Sequence, residues 1–170
     1  MKLKNRTSLK KTIPNPAISY KIYNNHSKLS TMGKKIKVIF VCTGNSCRSQ
    51  IAEGLLRNMA GDRFEAYSAG TSPSRVHPMS IRVMKEIGVD ISTHTSDPLD
   101  KYFGHGIDYV ITLCDNAREF CPSFPGKSKK IHWSIDDPFR SWRNDHKIIG
   151  RYRQTRKEIQ ERLEKFIEII

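Results

Sequence analysis

Apolar residues fall in short blocks along this chain, and the blocks show two periods. Residues 36–41, IKVIFV, form a β-branched run that predicts a buried strand of a parallel sheet. Phe64 to Ala69, DYVITLC at 108–114 and the short KKIHW at 129–133 read as three more strands. Between them the spacing turns helical. In QIAEGLLRNMAG, Ile51, Leu55, Leu56 and Met59 share a face, and Gly61 reads as the stop. Pro78 opens a second helix with Ile81, Val83, Met84 and Ile87 as its apolar set and Gly88 as its stop. From about Asp145 onward, Ile148, Ile149, Tyr152, Ile159, Leu163, Phe166, Ile167 and Ile170 recur at helical spacing. Acids and bases share the other face, as suits a helix packed on a sheet better than one lying on a membrane. Strands alternating with helices predict an α/β fold with a parallel sheet. Such folds place ligands beyond the carboxyl ends of the strands.

A chain of 170 residues, 37% hydrophobic, has the length of one domain and enough apolar side chains to fill a core. It lacks the run of roughly 18 apolar residues that a membrane span needs. Its first residues lack the apolar block of a signal peptide, so a cytoplasmic protein is expected. The net charge is +13, but residues 1–34 hold eight Lys or Arg and no acid, and removing those eight leaves +5 for the rest. The basic stretch is rich in Pro, Asn, Ser and Lys and reads as a flexible extension, although IPNPAISYKIY offers some surface to pack. A basic tail can touch nucleic acid without being built for it, and a nucleic-acid partner is not expected. Met32 directly precedes GKKIKVIFVC and is a candidate alternative start. The expected organisation is an N-terminal extension at 1–34 and a catalytic domain at 35–170.

The candidate chemistry begins where the first strand ends. Residues 42–49 read CTGNSCRS, with Cys42 and Arg48 in the spacing C-x₅-R. Five residues between a strand and a helix can curl so that their N–H groups point inward, which holds a tetrahedral oxyanion. Gly44 is expected to supply the backbone freedom. Thr43, Gly44, Asn45, Ser46, Cys47, Arg48 and Ser49 are the candidate oxyanion-binding residues, with Arg48 as a bidentate clamp. At the mouth of those donors Cys42 is favoured as an anion, and Ser49 can donate to its sulfur. The loop lacks the Lys and the glycine frame of a Walker A motif, and no dinucleotide-binding G-x-G-x-x-G occurs. Cys47, inside the loop, reads as a packing residue.

Attack on a bound oxyanion needs a proton for the departing oxygen. IDDPF at 135–139 follows the last strand at the same edge of the sheet; Asp137, fixed by Pro138, is the better candidate and Asp136 competes with it. The other two cysteines, Cys114 and Cys121 in LCDNAREFCP, exceed what a phosphatase requires. Four cysteines are too few for a disulfide-stapled scaffold, so reactive thiols in a reducing compartment are expected. Their gap of seven is too long to bond across a straight helix, because a disulfide needs Cα atoms within about 7 Å. The segment must loop or unwind, as a switch presenting a disulfide to a reductant would.

VCTGNSCRSQIAEG, LCDNAREFCP and HWSIDDP together resemble the thioredoxin-coupled arsenate reductases, over roughly residues 35–170. The resemblance implies the low-molecular-weight tyrosine phosphatase fold: a three-layer sandwich around a four-stranded parallel sheet. It implies a relay in which Cys42 attacks arsenate, Asp137 protonates the leaving oxygen, Cys114 attacks Cys42 to release arsenite, and Cys121 attacks Cys114. Thioredoxin would reduce the final Cys114–Cys121 disulfide, phosphate or sulfate would compete with arsenate, and the chain would act as a monomer without a membrane. No organic cofactor is implied. A potassium ion near the loop is, with Asn45, Glu53, Ser68 and Asp97 where its ligands fall. Phe139 departs from the reductase pattern, which has a small residue after DDP. The phosphatases place an aromatic there, so phosphatase action through a cysteinyl phosphate is the alternative. The extension at 1–34 is a second departure.

Overall fold

The computed structural model describes residues 33–142 and 147–170. The extension expected at 1–34 falls outside the described residues except for its last two, and so does the helix start expected near Asp145. Residues 35–170 form one compact unit. In order come β1 (Ile36–Cys42), α1 (Arg48–Ala60), β2 (Phe64–Gly70), α2 (Pro78–Lys85), a 3₁₀ turn (Leu99–Tyr102), β3 (Tyr109–Thr112), α3 (Asp115–Phe120), β4 (Lys129–His132) and α4 (Ile149–Ile169). The four strands are all parallel, in the order β2-β1-β3-β4.

The β-branched run of β1 explains its central place. Val38, Ile39, Phe40 and Val41 are all 0% exposed, because helices cover both faces of a parallel sheet. β4, at an edge, opens with exposed Lys129 and Lys130, charges that discourage pairing with another strand. The β1–α1–β2 and β3–α3–β4 connections run in opposite directions along the sheet. Right-handed crossovers therefore place α1 and α3 on opposite faces, giving three layers. The change of direction opens a crevice between the carboxyl ends of β1 and β3. Cys42 ends β1, and the Leu113 N–H reaches the Val41 carbonyl (2.8 Å), so Cys114 follows at the same crevice.

Helix α4 closes the core with Phe166, whose ring lies 5.7 Å from Phe64, 5.3 Å from Tyr109 and 6.2 Å from Trp133. One helix end differs from the expected pattern, and another stops where expected but in an ordinary right-handed conformation. α2 stops at Lys85, leaving Ile87 40% exposed, because the chain reverses at Gly88 (φ 78°) and buries Val89 and Ile91 instead. Gly61 ends α1 with an ordinary right-handed φ of −65°; it is small because a Cβ there would run into the Arg57 carbonyl.

Gly54 lies inside α1, where alanine would ordinarily gain about 1 kcal/mol in helix propensity. A Cβ at Gly54 would stand 2.6 Å from the Ile91 Cγ2 methyl and 3.2 Å from Met84 Cε. Overpacking of a rigid branched side chain costs about 1–3 kcal/mol. Gly54→Ala is expected to lower the urea midpoint of unfolding; an unchanged or raised midpoint would show that the α1–α2 contact yields.

Candidate active site

The residues between Cys42 and Arg48 must turn the chain from β1 into α1 at the crevice. Their carbonyls are bonded outward, to a collar formed by residues 71–77. Thr71 N–H donates to the Cys42 carbonyl (3.2 Å), Ser72 to Thr43 (2.9 Å), Ser74 to Gly44 (3.1 Å) and His77 to Ser46 (3.0 Å). The Cys47 carbonyl takes the Ile51 N–H (3.0 Å) at the start of α1. With the carbonyls turned out, the successive N–H groups line the inside of the loop. Together with the start of α1 they make a nest for a tetrahedral anion.

The left-handed residue this turn requires is Asn45 (φ 45°), not the expected Gly44. Asparagine tolerates the strain because its amide bonds locally. Asn45 Oδ1 accepts the Asp97 N–H (2.7 Å), which fixes the amide, so Nδ2 donates to Ser49 Oγ (2.8 Å) and Ser68 Oγ (2.9 Å). Ser49 thus accepts from Asn45 and has its own proton left to donate to Cys42 Sγ, 3.0 Å away. Such a bond steadies a sulfur anion. Gly44 is instead pressed against its neighbours: a Cβ would stand 3.2 Å from Ser46 Oγ.

A cavity of about 200 Å³ opens over the loop. Cys42, Thr43, Gly44, Ser46, Cys47 and Arg48 line it from the loop, Ser74 from the collar, and Asp137, Phe139 and Trp142 from the segment after β4. Of the expected oxyanion-binding set, Asn45 and Ser49 are fully buried and brace the loop from behind. Arg48 donates to the Ile135 carbonyl (3.1 Å) and pairs with Asp137 Oδ2 (2.8 Å). Asp137 Oδ1 takes the Phe139 N–H (3.1 Å). Asp136 is exposed and does not line the cavity, so the structure brings Asp137 alone of that pair to the loop.

The thiols have different surroundings. Cys47 packs under the loop and donates to the Tyr152 hydroxyl (3.5 Å). Burial pushes its thiol up to about 12, outweighing the Tyr152 bond. Cys114 enters from the neighbouring strand; its sulfur lies 3.5 Å from Thr43 Oγ1 and caps α3 by accepting the Ala117 N–H (3.4 Å). Thr43 also donates to Asn116 Oδ1 (3.2 Å), which ties the anion loop to α3. Cys121 caps the other end of α3, away from the cavity, with its thiol raised by burial against the opposing pull of Lys130. Two turns of helix separate Cys114 from Cys121, about 10 Å at 1.5 Å per residue. All four cysteines are free.

Asn45, Glu53, Ser68 and Asp97 form one connected network behind the loop. Ser68 donates to Glu53 Oε2 (2.5 Å) and to neither of the other two, while Asn45 bridges Ser68 and the Asp97 backbone. Burial pushes the Glu53 carboxyl up, against Ser68 and the Arg57 guanidinium 2.6 Å from it. For Asp97, burial would raise the carboxyl, but Lys101 (2.8 Å), Thr95 (2.8 Å) and Tyr102 (2.9 Å) together hold it below the usual range. Among the described residues no cluster of three or more His, Cys, Asp or Glu is arranged to hold a metal, and no helix is long and apolar enough to cross a membrane.

Sequence reasoning missed the collar, with Ser74 in the wall and His77 beneath it, and missed Trp142. The collar carries no motif; its only signal is TSPSRVHP, a polar stretch between the second strand and a proline-initiated helix.

Residues 37–170 match the family model described as low molecular weight phosphotyrosine protein phosphatase. The chain is 42% identical over 137 residues to an arsenate reductase of Halalkalibacterium halodurans, covering 81% of this chain and 98% of that protein. Among solved structures, an arsenate reductase in its oxidized state superposes with a TM-score of 0.67 at 35% identity, over 78% of this chain and 96% of the other. A low molecular weight protein tyrosine phosphatase from T. tengcongensis superposes with a TM-score of 0.66 at 27% identity, over 80% of this chain and all (100%) of the other.

A thiol raised to about 12 stays protonated, and unreactive as a nucleophile, throughout the neutral range. Iodoacetamide at mildly alkaline pH is expected to leave Cys47 unmodified in the folded protein and to alkylate it after denaturation. Peptide mass mapping reads the difference, and a Cys47 adduct in the folded protein would contradict the buried placement.

Proposed function

The chain belongs to the low molecular weight phosphotyrosine protein phosphatase family, and from that premise we propose that it reduces arsenate to arsenite by a three-thiol relay. The observation that carries this reading is the meeting of Cys42 and Cys114 at one crevice, with the Thr43 hydroxyl 3.5 Å from the Cys114 sulfur. A phosphatase needs no second thiol there.

In the proposed cycle three arsenate oxygens take the loop N–H groups and Arg48. The Cys42 sulfur attacks arsenic, and the fourth oxygen leaves as water with a proton from Asp137. Cys114 then attacks the Cys42 sulfur. The sulfur–arsenic bond breaks, its electron pair stays on arsenic, and arsenite departs as As(III). The two electrons come from the two thiols, which become a Cys42–Cys114 disulfide. Cys121 attacks Cys114 and frees Cys42, and thioredoxin reduces the resulting Cys114–Cys121 disulfide. That last exchange needs the ends of α3 to approach from about 10 Å to within about 7 Å. The six residues of α3 are easily spared for this, since Ala117 alone of them is buried. A helix this short has little stability of its own. The relay requires its thiols reduced between cycles, which assigns it to the cytoplasm. Phosphate and sulfate share the shape of arsenate and compete for the loop. We read the chain as a monomer with no nucleic-acid role.

The second reading, an aryl phosphatase, is favoured by one feature. Phe139 and Trp142 put an aromatic wall beside the anion loop, suited to an aryl leaving group. It predicts hydrolysis of an aryl phosphate without reductant and without Cys114 or Cys121.

A potassium ion at Asn45, Glu53, Ser68 and Asp97 fits by donor type, since hard cations take oxygen ligands. It has a resident competitor. The Lys101 ammonium already neutralises Asp97, as Arg57 does Glu53. The ion would neutralise charge behind the loop and stiffen Asn45.

Two outcomes test these readings. With thioredoxin, thioredoxin reductase and NADPH, the wild type is expected to consume NADPH in proportion to arsenite formed. Cys42→Ser and Cys114→Ser should form none, and Cys121→Ser a single equivalent. Multiple turnovers by Cys121→Ser with thioredoxin would sink the relay. For the ion, KCl against choline chloride at matched ionic strength is expected to raise the Tm of Lys101→Ala by more than that of the wild type. Equal shifts would remove Lys101 as the competitor.

A further inference from the structure

His77 is used by none of the steps above, yet it touches every part that frames the cavity. It is 0% exposed. Its backbone N–H donates to the Ser46 carbonyl of the anion loop (3.0 Å). Its ring has two backbone partners that fix its tautomer: Nδ1 accepts the Met79 N–H (3.1 Å), so Nε2 carries the proton and donates it to the Ser141 carbonyl (2.9 Å). Burial holds the imidazole below its usual value, against the Ser141 bond, so the neutral form persists. The ring is stacked between Tyr152 and Trp142, each 5.2 Å away at 24°, and Phe139 meets it edge-on at 5.7 Å. Arg75 covers the outer face of Trp142 at 4.4 Å. A column of Arg75, Trp142, His77 and Tyr152 thus runs from the surface to the underside of the loop, where Tyr152 meets Cys47.

We propose that His77 is a positioning residue for the acid: it clasps residues 139–142 to the anion loop and so holds Asp137 at the cavity. The inference rests on the reading of Asp137 as the acid. The need for a clasp follows from Arg48. In the structure Arg48 holds Asp137 at 2.8 Å, but the same guanidinium is the clamp for the oxyanion. A bound oxyanion draws Arg48 away at the moment when the acid must be in place. The Asp137 side chain is 48% exposed, and among the described residues its own loop supplies contacts within residues 137–140, the Phe139 N–H and Arg140. The grip of His77 on Phe139, Ser141 and Trp142 does not involve Arg48 and survives its departure. Two neutral backbone bonds and two stacked rings suit this role, since none of them changes when an anion enters.

The test is a double-mutant cycle read by single-turnover arsenite formation on the reduced enzyme, which excludes the thioredoxin step. Since a general acid contributes about 10²–10⁴-fold, partial misplacement by His77→Phe is expected to slow the saturated rate about tenfold. The arsenate concentration at half-saturation should change less than twofold. In an Asp137→Asn background the same substitution should have no further effect. Trp142, at the surface end of the column, supplies a variant that leaves the interior intact: Trp142→Ala should slow the reaction in the same Asp137-dependent way, and Trp142→Phe should restore it. The clasp is overturned if these substitutions slow Asp137→Asn as much as the wild type, or slow neither. If Asp137→Asn is itself as fast as the wild type, it is the acid assignment that fails.

Discussion

Everything at this site depends on the direction of a few peptide carbonyls. An anion nest requires successive N–H groups on the inside of a turn, and that is stable only if the opposing carbonyls have partners outside. Here residues 71–77 supply those partners one after another, to Cys42, Thr43, Gly44 and Ser46. The collar follows directly from β2, which pairs with β1 along its whole length up to Cys42 and Gly70. Gly70 must be small at that junction, since a Cβ would stand 2.6 Å from the Thr43 carbonyl. The loop is therefore held by the sheet register, and its amides are set before any anion arrives. That is preorganisation in the sense that matters for catalysis: no reorientation is needed when charge develops.

The topology then determines which sulfur can join. A crevice between two strands whose connections diverge has two loops at its floor, one from each strand. The first loop is taken up by the anion. The second, after β3, is free to carry a thiol, and Cys114 stands two residues past the strand, as the cap of α3. The Thr43 hydroxyl links the two, touching the Cys114 sulfur and Asn116. Of the six residues of that helix only Ala117 is buried. The arrangement joins a rigid anion site to a marginal helix, which is what a thiol relay with one large rearrangement needs.

The strands and most helices were legible because their signals are local. IKVIFV is apolar at consecutive positions, and α4 repeats its apolar residues over 21 positions. That Cys42, Arg48 and Asp137 line one cavity was legible because C-x₅-R and DDP each follow a strand at the same edge of the sheet. The misses have a common cause. Ile87 looked like core because helical spacing cannot show where a chain reverses, and Gly88 ended the face one turn early. Gly44 looked like the strained residue because glycine is the usual holder of a left-handed turn, while Asn45 holds that place only through Asp97, Ser49 and Ser68, two of them far along the chain. The collar and His77 act through backbone bonds and stacking between segments 29 to 75 residues apart in sequence, as in Thr71 to Cys42 and His77 to Tyr152. No pattern within a window records such contacts.

Burial also sorts the thiols in time. Cys47 is closest in sequence to the proposed nucleophile and lines the same cavity, so it is the obvious thiol to intercept an intermediate. Desolvation raises it so far that it stays protonated and silent. Cys121 is raised by the same cause, and in the proposed relay its burial lasts while α3 is helical. While α3 is helical, Cys121 is both protonated and out of reach. The opening of α3 that the proposed relay requires would remove both barriers together, bringing the sulfur nearer to Cys114 and returning it to water. The sequence of exchanges in the proposed relay is then enforced by access and hydration, with no requirement for a graded series of reduction potentials.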